Sequence, residues 1–332
     1  MPAPPSSQPP SSEHGLPSDV TAAGPGPVIG VVAGEPVGDR FEGVPDVQIG
    51  RAETARPPGT AIRRFGATFW ISVGWVGLVI LLAVLANVLP LDDPNGIGSA
   101  LPRQDPSLAH LLGTDSLGRD ILSRVIFGAR VSLIVGFASI FIGMVVGGGL
   151  ALIAGFFRGP LDSFLDSANT VGLAFPAVVF LLALVTAAGQ SLFIVVIGIG
   201  ILAIFPLFRV VRANTIVYAQ REFVLASRAL GARSTRIIWR EILPNVLPTA
   251  LSFALVAVAV AIVAEGALAF LGLSVRPPTP TWGGMISEGR NSLEQDPLIC
   301  LWPSLALFFT VLALNFAGDR LRSFFEVREG GL

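Results

Sequence analysis

Long apolar runs separated by short polar segments dominate the chain from residue 65 onward. No charged residue occurs between Arg64 and Asp92, between Arg130 and Arg158, or between Asp296 and Asp319. A helix needs about 20 apolar residues to cross the hydrocarbon core of a bilayer, because each residue adds only about 1.5 Å to its length. Each of these runs is long enough and predicts one spanning helix.

Further spanning helices are predicted in the middle of the chain. Residues 167–208 carry no charge and are too long for one helix, and the polar break AAGQS at residues 187–191 divides them into a third and a fourth span. A fifth span is predicted at residues 247–273, where only Glu265 interrupts the apolar run. The fold class is therefore predicted to be an all-α membrane protein with six transmembrane helices.

The composition supports this prediction and excludes one source of energy. Hydrophobic residues make up 52% of the chain and charged residues only 14%, whereas soluble domains carry about 25% charged residues. All 22 basic residues are arginine. The phosphate-binding loop GxxxxGK[ST] requires a lysine, so any ATP that drives this protein is hydrolysed by another polypeptide.

The sequence offers little chemistry for catalysis or metal binding. The single cysteine, Cys300, cannot form an internal disulfide, and His14 and His110 lie in polar segments without a partner at ligand spacing. We therefore predict no metal site, no cofactor and no catalytic residue. Neither HExxH nor GxSxG occurs, and no histidine lies in a predicted span, which argues against an intramembrane protease.

Residues 1–60 differ from the rest of the chain. They are rich in proline, glycine and serine and lack a periodic apolar pattern, so we expect a disordered tail ahead of a transmembrane domain over residues 61–332. Sixteen arginines fall in segments that are cytoplasmic if the N-terminus is inside, and six fall in the opposite segments. The positive-inside rule therefore predicts that both termini are cytoplasmic.

The longest predicted cytoplasmic segment between two spans is residues 213–246. Strong helix formers predict a short helix over residues 222–230, and Gly231 is suited to end that helix in the left-handed conformation. Ser234 is predicted to cap a second short helix. Basic loops also orient membrane proteins and contact anionic lipid, but charge alone does not predict a helix–glycine–helix order.

The second short helix is expected to lie against the membrane. Its isoleucines, Ile237, Ile238 and Ile242, are predicted to face the bilayer surface. Pro244 and Pro248 are predicted to redirect the chain into the fifth span. The segment would then form a compact knob with a basic rim.

The sequence FVLASRALGARSTRIIWREILPN, which ends at Asn245, resembles the "EAA" loop of ABC-importer permeases. The motif positions that match are Ala226, Gly231, Leu243 and Pro244, and those that depart are Leu225, Ser227 and Glu241. Residues 110–133 and 265–286 are similar to segments of the second permease subunit of dipeptide and oligopeptide importers. The resemblance covers roughly residues 65–325.

This resemblance implies the type I importer permease fold in a bacterial plasma membrane. It also implies a heterodimer with a second permease, two cytoplasmic ATPases that close when they bind ATP, and an extracytoplasmic peptide-binding protein. Lipid is a further expected partner, and no nucleic acid is expected. The residues expected to dock the ATPase are Ala226, Ser227, Arg228, Ala229, Leu230, Gly231, Ala232, Arg233, Leu243 and Pro244. Nickel and other small-solute importers share these features, and a secondary transporter is the alternative from another class.

Residues 120–130 predict an amphipathic helix before the second span. Its apolar side chains, Ile121 among them, share one face, and Asp120, Arg124 and Arg130 tend to the other. These polar residues are candidates for docking the binding protein; the alternative is an interfacial helix that caps the bundle.

Three residues are candidates for the translocation pathway. Glu265 is the only ionisable residue deep in a predicted span, where a charge is costly; the alternative is a structural pair with an arginine or the backbone. Asn169 and Thr170 offer polar groups at the start of the third span, and their alternative is hydrogen bonding between helices.

Overall fold

The computed structural model describes residues 61–98 and 100–329, and the predicted tail over residues 1–60 lies outside them. The described residues are mostly helical and contain no strand, only an isolated bridge between Thr114 and Asp120. The helices in these ranges are α1 (Ala61–Leu85), α2 (Ile121–Phe157), α3 (Pro160–Ala174), α4 (Ala177–Ala188), α5 (Leu192–Tyr218), α6 (Glu222–Ala229), α7 (Ser234–Phe270), α8 (Trp282–Gly289) and α9 (Leu298–Glu329).

Five of these helices, α1, α2, α5, α7 and α9, are long and apolar enough to cross a membrane. The pair α3 and α4 is bent by 83° and qualifies as a sixth span when taken together. The bend lies at Phe175, which is extended at φ −75° and ψ 131°. The cause is Pro176, because a residue before proline is pushed out of the helical region. The predicted third span is thus present but broken.

The predicted break between the third and fourth spans is confirmed. Helix α4 ends at Ala188, and Gly189 follows with φ +93°. Ser191 then caps α5, since its hydroxyl accepts a hydrogen bond from the Ile194 amide at 3.2 Å. Glycine and a capping serine therefore account for the turn.

Two spans begin earlier than the sequence predicts. Helix α2 starts at Ile121 and runs through Arg130 without a break. The charge of Arg130 is accommodated because the Nε of its side chain donates a hydrogen bond to the Ala83 carbonyl of α1 at 2.9 Å. The predicted separate amphipathic helix is therefore the first part of α2. Helix α7 continues past Pro244 and Pro248, so the prediction that these prolines redirect the chain is wrong.

A local widening of α7 explains its continuity. Residues Ile238–Ile242 form a π turn directly before Pro244. Proline lacks the amide that an α-helix requires and clashes with the preceding turn, and π turns of this kind occur as single-turn bulges inside helices. The chain thus accommodates the proline without ending the helix.

The central core lies among α2, α5, α7 and α9. Val135, Val195, Ile262 and Leu314 are at most 1% exposed. Helices α2 and α5 meet at glycine: a Cβ added to Gly147 would lie 2.5 Å from the Ile204 carbonyl oxygen. Small residues thus allow these two helices to pack closely.

The length of α2 separates the molecule into two ends. Its 37 residues correspond to about 55 Å of helix. Its first residue, Ile121, packs with Met285 and Ile299 near α8, and we call this the loop end. Phe156, near its last residue, packs with Val224 of α6, and we call this the turn end.

Candidate functional site

The chain reverses sharply after α6 at the turn end. Gly231 has φ +77°, and its amide donates to the Arg228 carbonyl at 2.9 Å. The next amide, of Ala232, donates to the Ser227 carbonyl at 3.0 Å. This pair of bonds is the Schellman motif, in which a left-handed residue ends a helix. The predicted left-handed stop at Gly231 is confirmed.

Helix α6 is anchored to three spanning helices. Its Val224 is fully buried in a cluster with Phe156 of α2, Tyr218 of α5 and Ile238 of α7. The Arg228 guanidinium lies 4.6 Å from the centre of the Phe156 ring, a cation–π contact. A displacement of α6 is therefore passed to α2, α5 and α7 through packed side chains.

The start of α7 differs from the sequence prediction in two respects. Ile237, Ile238 and Ile242 do not face the bilayer surface; they are 1%, 9% and 0% exposed and pack in the cluster around Val224. They point inward because α7 lies against the ends of α2 and α5. Ser234 is the first helical residue, not its cap: Arg233 holds that position and makes no side-chain capping bond.

The outer side of the 222–245 segment is apolar at its tip. Leu230 is 89% exposed and Leu225 is 52% exposed. The predicted docking residues that are exposed around them are Ala226, Arg228, Ala229, Gly231, Arg233 and Pro244, and those that are half-buried are Ser227, Ala232 and Leu243. Phe223 is also exposed, at 39%, and several exposed apolar side chains in one short segment favour a contact surface more than a single one would.

An ion-pair network braces the turn end. Asp162, in the first turn of α3, accepts two hydrogen bonds from Arg212 of α5, at 2.6 and 2.9 Å. Asp166 lies 3.6 Å from the same guanidinium. The sequence suggests only that these acids suit a helix start; their partner lies about fifty residues away in sequence and could not be inferred.

A second network closes the loop end. Arg119 contacts Asp115 at 2.6 Å and Glu288 at 2.8 Å, and Arg124 contacts Glu288 at 3.0 Å. Arg124 also donates to the Pro94 carbonyl at 3.0 Å. Two arginines and two carboxylates thus join the loop before α2 to α8.

The three candidate residues for binding-protein docking lie in or beside this network. Asp120 is 5% and Arg124 is 1% exposed, so their side chains do not form the free polar face that the sequence predicts. They are covered because the loop over residues 91–120 folds back on α2. Arg130 is half-buried between α1 and Phe127, whose ring centre is 5.5 Å from its guanidinium.

The candidate pathway residues have different environments. Glu265 is fully buried inside this chain and accepts a hydrogen bond from Ser274 at 2.5 Å, so its partner is a serine rather than an arginine. Thr170 is exposed and bonds within its own helix, to the Asp166 carbonyl at 2.9 Å. Asn169 is 6% exposed, and its Oδ1 has no partner among the described residues.

An apolar groove of about 390 Å³ opens between α4, α5 and α7. Its walls include Leu181, Leu202, Phe253 and Val260. The sequence does not predict this groove, because every one of its residues also suits a lipid-facing helix.

The structure also gives His110 partners that its sequence neighbourhood does not predict. Its Nδ1 lies 3.1 Å from Asp120 and 3.7 Å from Asp92. These contacts arise because the loop brings together Asp92, seven residues after the end of α1, and Asp120, directly before α2.

A bundle of apolar helices long enough to cross a membrane is the architecture of a multi-pass membrane protein. The family described as "binding-protein-dependent transport system inner membrane component" matches residues 147–329. The chain belongs to this family. It is therefore a multi-pass inner-membrane permease subunit of an ABC importer, which works with an ATPase partner and is not itself an enzyme. The secondary-transporter alternative does not hold.

Relatives and solved structures agree with this assignment. The glutathione transport system permease protein GsiD of Pectobacterium atrosepticum is 38% identical over 75% of this chain and 83% of its own length. GsiD of Escherichia coli O6:K15:H31 is 37% identical over 75% of this chain and 82% of its own. An inward-facing structure of the MetNI methionine ABC transporter matches with a TM-score of 0.52 at 17% identity, over 62% of this chain and 97% of that one. That likeness supports the type I importer fold.

Proposed function

We propose that this permease imports small peptides, together with a second permease, two cytoplasmic ATPases and an extracytoplasmic peptide-binding protein. Relatives that are named glutathione permeases support a substrate of two or three residues. Selectivity resides in the binding protein, because the groove of this chain is lined by apolar residues only. Nickel and other small solutes remain the alternative substrates.

The 222–245 segment docks the ATPase in this proposal. Exposed Leu225 and Leu230 would enter an apolar groove of the ATPase, and Arg233 would meet acids on its rim. The Schellman turn at Gly231 fixes the angle between α6 and α7. The observation that carries this role is the combination of an exposed tip with a fully buried anchor at Val224.

Docking of this kind would let the ATPase move the permease. When the ATPases close on ATP, α6 is carried with them, and Val224 passes the displacement to α2, α5 and α7. The packed helices would then rock as a rigid body between inward- and outward-facing states. This mechanism requires the turn end to be cytoplasmic, as the arginine distribution predicts.

The loop end would then face the binding protein. Asp120 and Arg124 support that face from beneath, because they contact His110 and the Pro94 carbonyl of the loop. Arg130 fastens the first part of α2 to α1. Thr170 stays a candidate for the pathway because its side chain lies on an exposed residue of α3. Glu265 serves the structure between α7 and the loop that follows it.

Gly231→Asp tests the docking. An aspartate strains the left-handed position by roughly 1 kcal/mol and places a charge in an apolar contact, so the variant should insert normally but retain about a tenth or less of the bound ATPase. The matched control is Gly272→Asp, because Gly272 ends α7 at the opposite end with φ +74° and the same Schellman pair of bonds. Normal ATPase binding and transport in Gly231→Asp would contradict the docking.

The substrate is tested separately in proteoliposomes that contain the complete transporter. Glutathione and dipeptides should stimulate ATP hydrolysis and accumulate inside, whereas Ni²⁺ should do neither. Stimulation by Ni²⁺ alone would contradict peptide import without affecting the docking result.

A further inference from the structure

Three side chains with metal-ligating atoms converge at the loop end. Nδ1 of His110, a carboxylate oxygen of Asp92 and a carboxylate oxygen of Asp120 lie within 4.8 Å of one another. They come from the segment after α1, from the loop and from the residue that precedes α2. We propose that this His–Asp–Asp cluster binds a divalent transition-metal ion.

The distances suit a common coordination sphere. Nδ1 of His110 lies 3.1 Å from Asp120 and 3.7 Å from Asp92. Bonds of about 2.0–2.1 Å in tetrahedral geometry place neighbouring ligand atoms about 3.3 Å apart. Small side-chain rotations therefore suffice to bring the three atoms around one ion.

One hydrogen bond, between His110 and Asp120, accounts for only part of the cluster. A neutral imidazole Nδ1 has one proton or one lone pair and serves one partner, but two carboxylates face it here. In the described ranges no arginine lies within 4 Å of either carboxylate, and the chain contains no lysine. Because Asp120 is buried and Asp92 lies 3.7 Å from Nδ1, an ion in the space between them would offset the two negative charges more fully than the single hydrogen bond does.

The surroundings hold two of the ligands in place. The second oxygen of Asp120 accepts the Ser123 amide at 2.7 Å, so only the other oxygen is free to turn toward His110. The Ser123 hydroxyl donates to the Asp92 carbonyl at 2.5 Å and joins the two ligand segments. Such second-sphere contacts orient metal ligands.

The ligand set indicates the class of metal. Mg²⁺ and Ca²⁺ prefer oxygen ligands only, whereas imidazole with carboxylates suits Zn²⁺ and its first-row neighbours. The side chain of Asp92 is 53% exposed, which leaves an entry path and room for water as a fourth ligand. A bound ion would fasten the end of α1 to the start of α2.

The test is Zn²⁺ titration calorimetry and Co²⁺ absorption on the full-length chain in lipid nanodiscs, with a tag that lacks histidine. The unaltered chain should bind one ion saturably, and Asp92→Asn should raise the Kd about tenfold or more. The matched control is Asp93→Asn, which removes the same charge one residue away and should leave the Kd within about twofold of the unaltered value.

A second variant guards against misfolding and distinguishes the alternatives. His110→Ala should abolish the Co²⁺ absorption bands, and Asp92→Asn alone carries the test if that variant fails to fold, because Asp92 is exposed. Zn²⁺ should also raise the Tm of the unaltered chain and not that of Asp92→Asn. Absence of saturable binding, or equal behaviour of Asp92→Asn and Asp93→Asn, would overturn the proposal and leave the cluster as a proton-bridged contact.

Discussion

Three residues at the turn end have different structural roles: Val224 in α6, and Leu230 and Gly231 directly after it. Gly231 supplies the left-handed conformation, Val224 is buried as the anchor and Leu230 projects into water. The first task is predictable from sequence because few residues other than glycine adopt that conformation readily. The inward direction of Ile237 cannot be predicted from sequence, because it depends on packing against α2 and α5, which are distant in sequence. The ion pair between Arg212 and Asp162 cannot be predicted for the same reason, because the two residues are distant in sequence.

Glu265 permits a prediction at this scale. Glu265→Gln keeps an oxygen that accepts the Ser274 hydrogen bond, so transport should stay within about twofold of the unaltered protein, because the structural contact is retained. Uptake of labelled peptide in proteoliposomes measures this. Loss of uptake by a fully assembled complex would instead assign the carboxylate to the pathway.

Helix boundaries depend on contacts beyond the local pattern. The sequence suggests that α2 begins after Arg130 because a charge is costly in lipid, yet the guanidinium reaches the Ala83 carbonyl of the neighbouring helix. Likewise, Pro244 suggests a helix end, but a π turn accommodates it. The turn before α5 is predictable because Gly189 and Ser191 act locally.

The contact between α2 and α5 gives a prediction for helix packing. Gly147→Ala would place a Cβ 2.5 Å from the Ile204 carbonyl oxygen and should destabilise the fold by about 1–3 kcal/mol through overpacking. Gly149→Ala is the matched control, since its Cβ would meet nothing within 4 Å. Thermal unfolding in detergent should show a lower Tm for the first variant only; equal Tm values would contradict the close approach.

The described part of the chain has a packed core between two different ends. The sequence predicts the six apolar runs, and the structure contains five long spans and one bent pair. The family and the turn at Gly231 are also recognisable from sequence, because their motif is local. The salt-bridge network around Arg124 and the groove beside Phe253 are not, because each is assembled from segments far apart in the chain.

Site-specific photo-crosslinking in the assembled transporter tests the central claim most directly. In one variant a benzophenone amino acid replaces Leu230 at the turn end. In the matched variant it replaces Leu108, which is 99% exposed at the loop end. We predict that position 230 crosslinks to the ATPase and position 108 to the binding protein. Crosslinks from position 230 to lipid alone, or to the binding protein, would contradict ATPase docking at this turn.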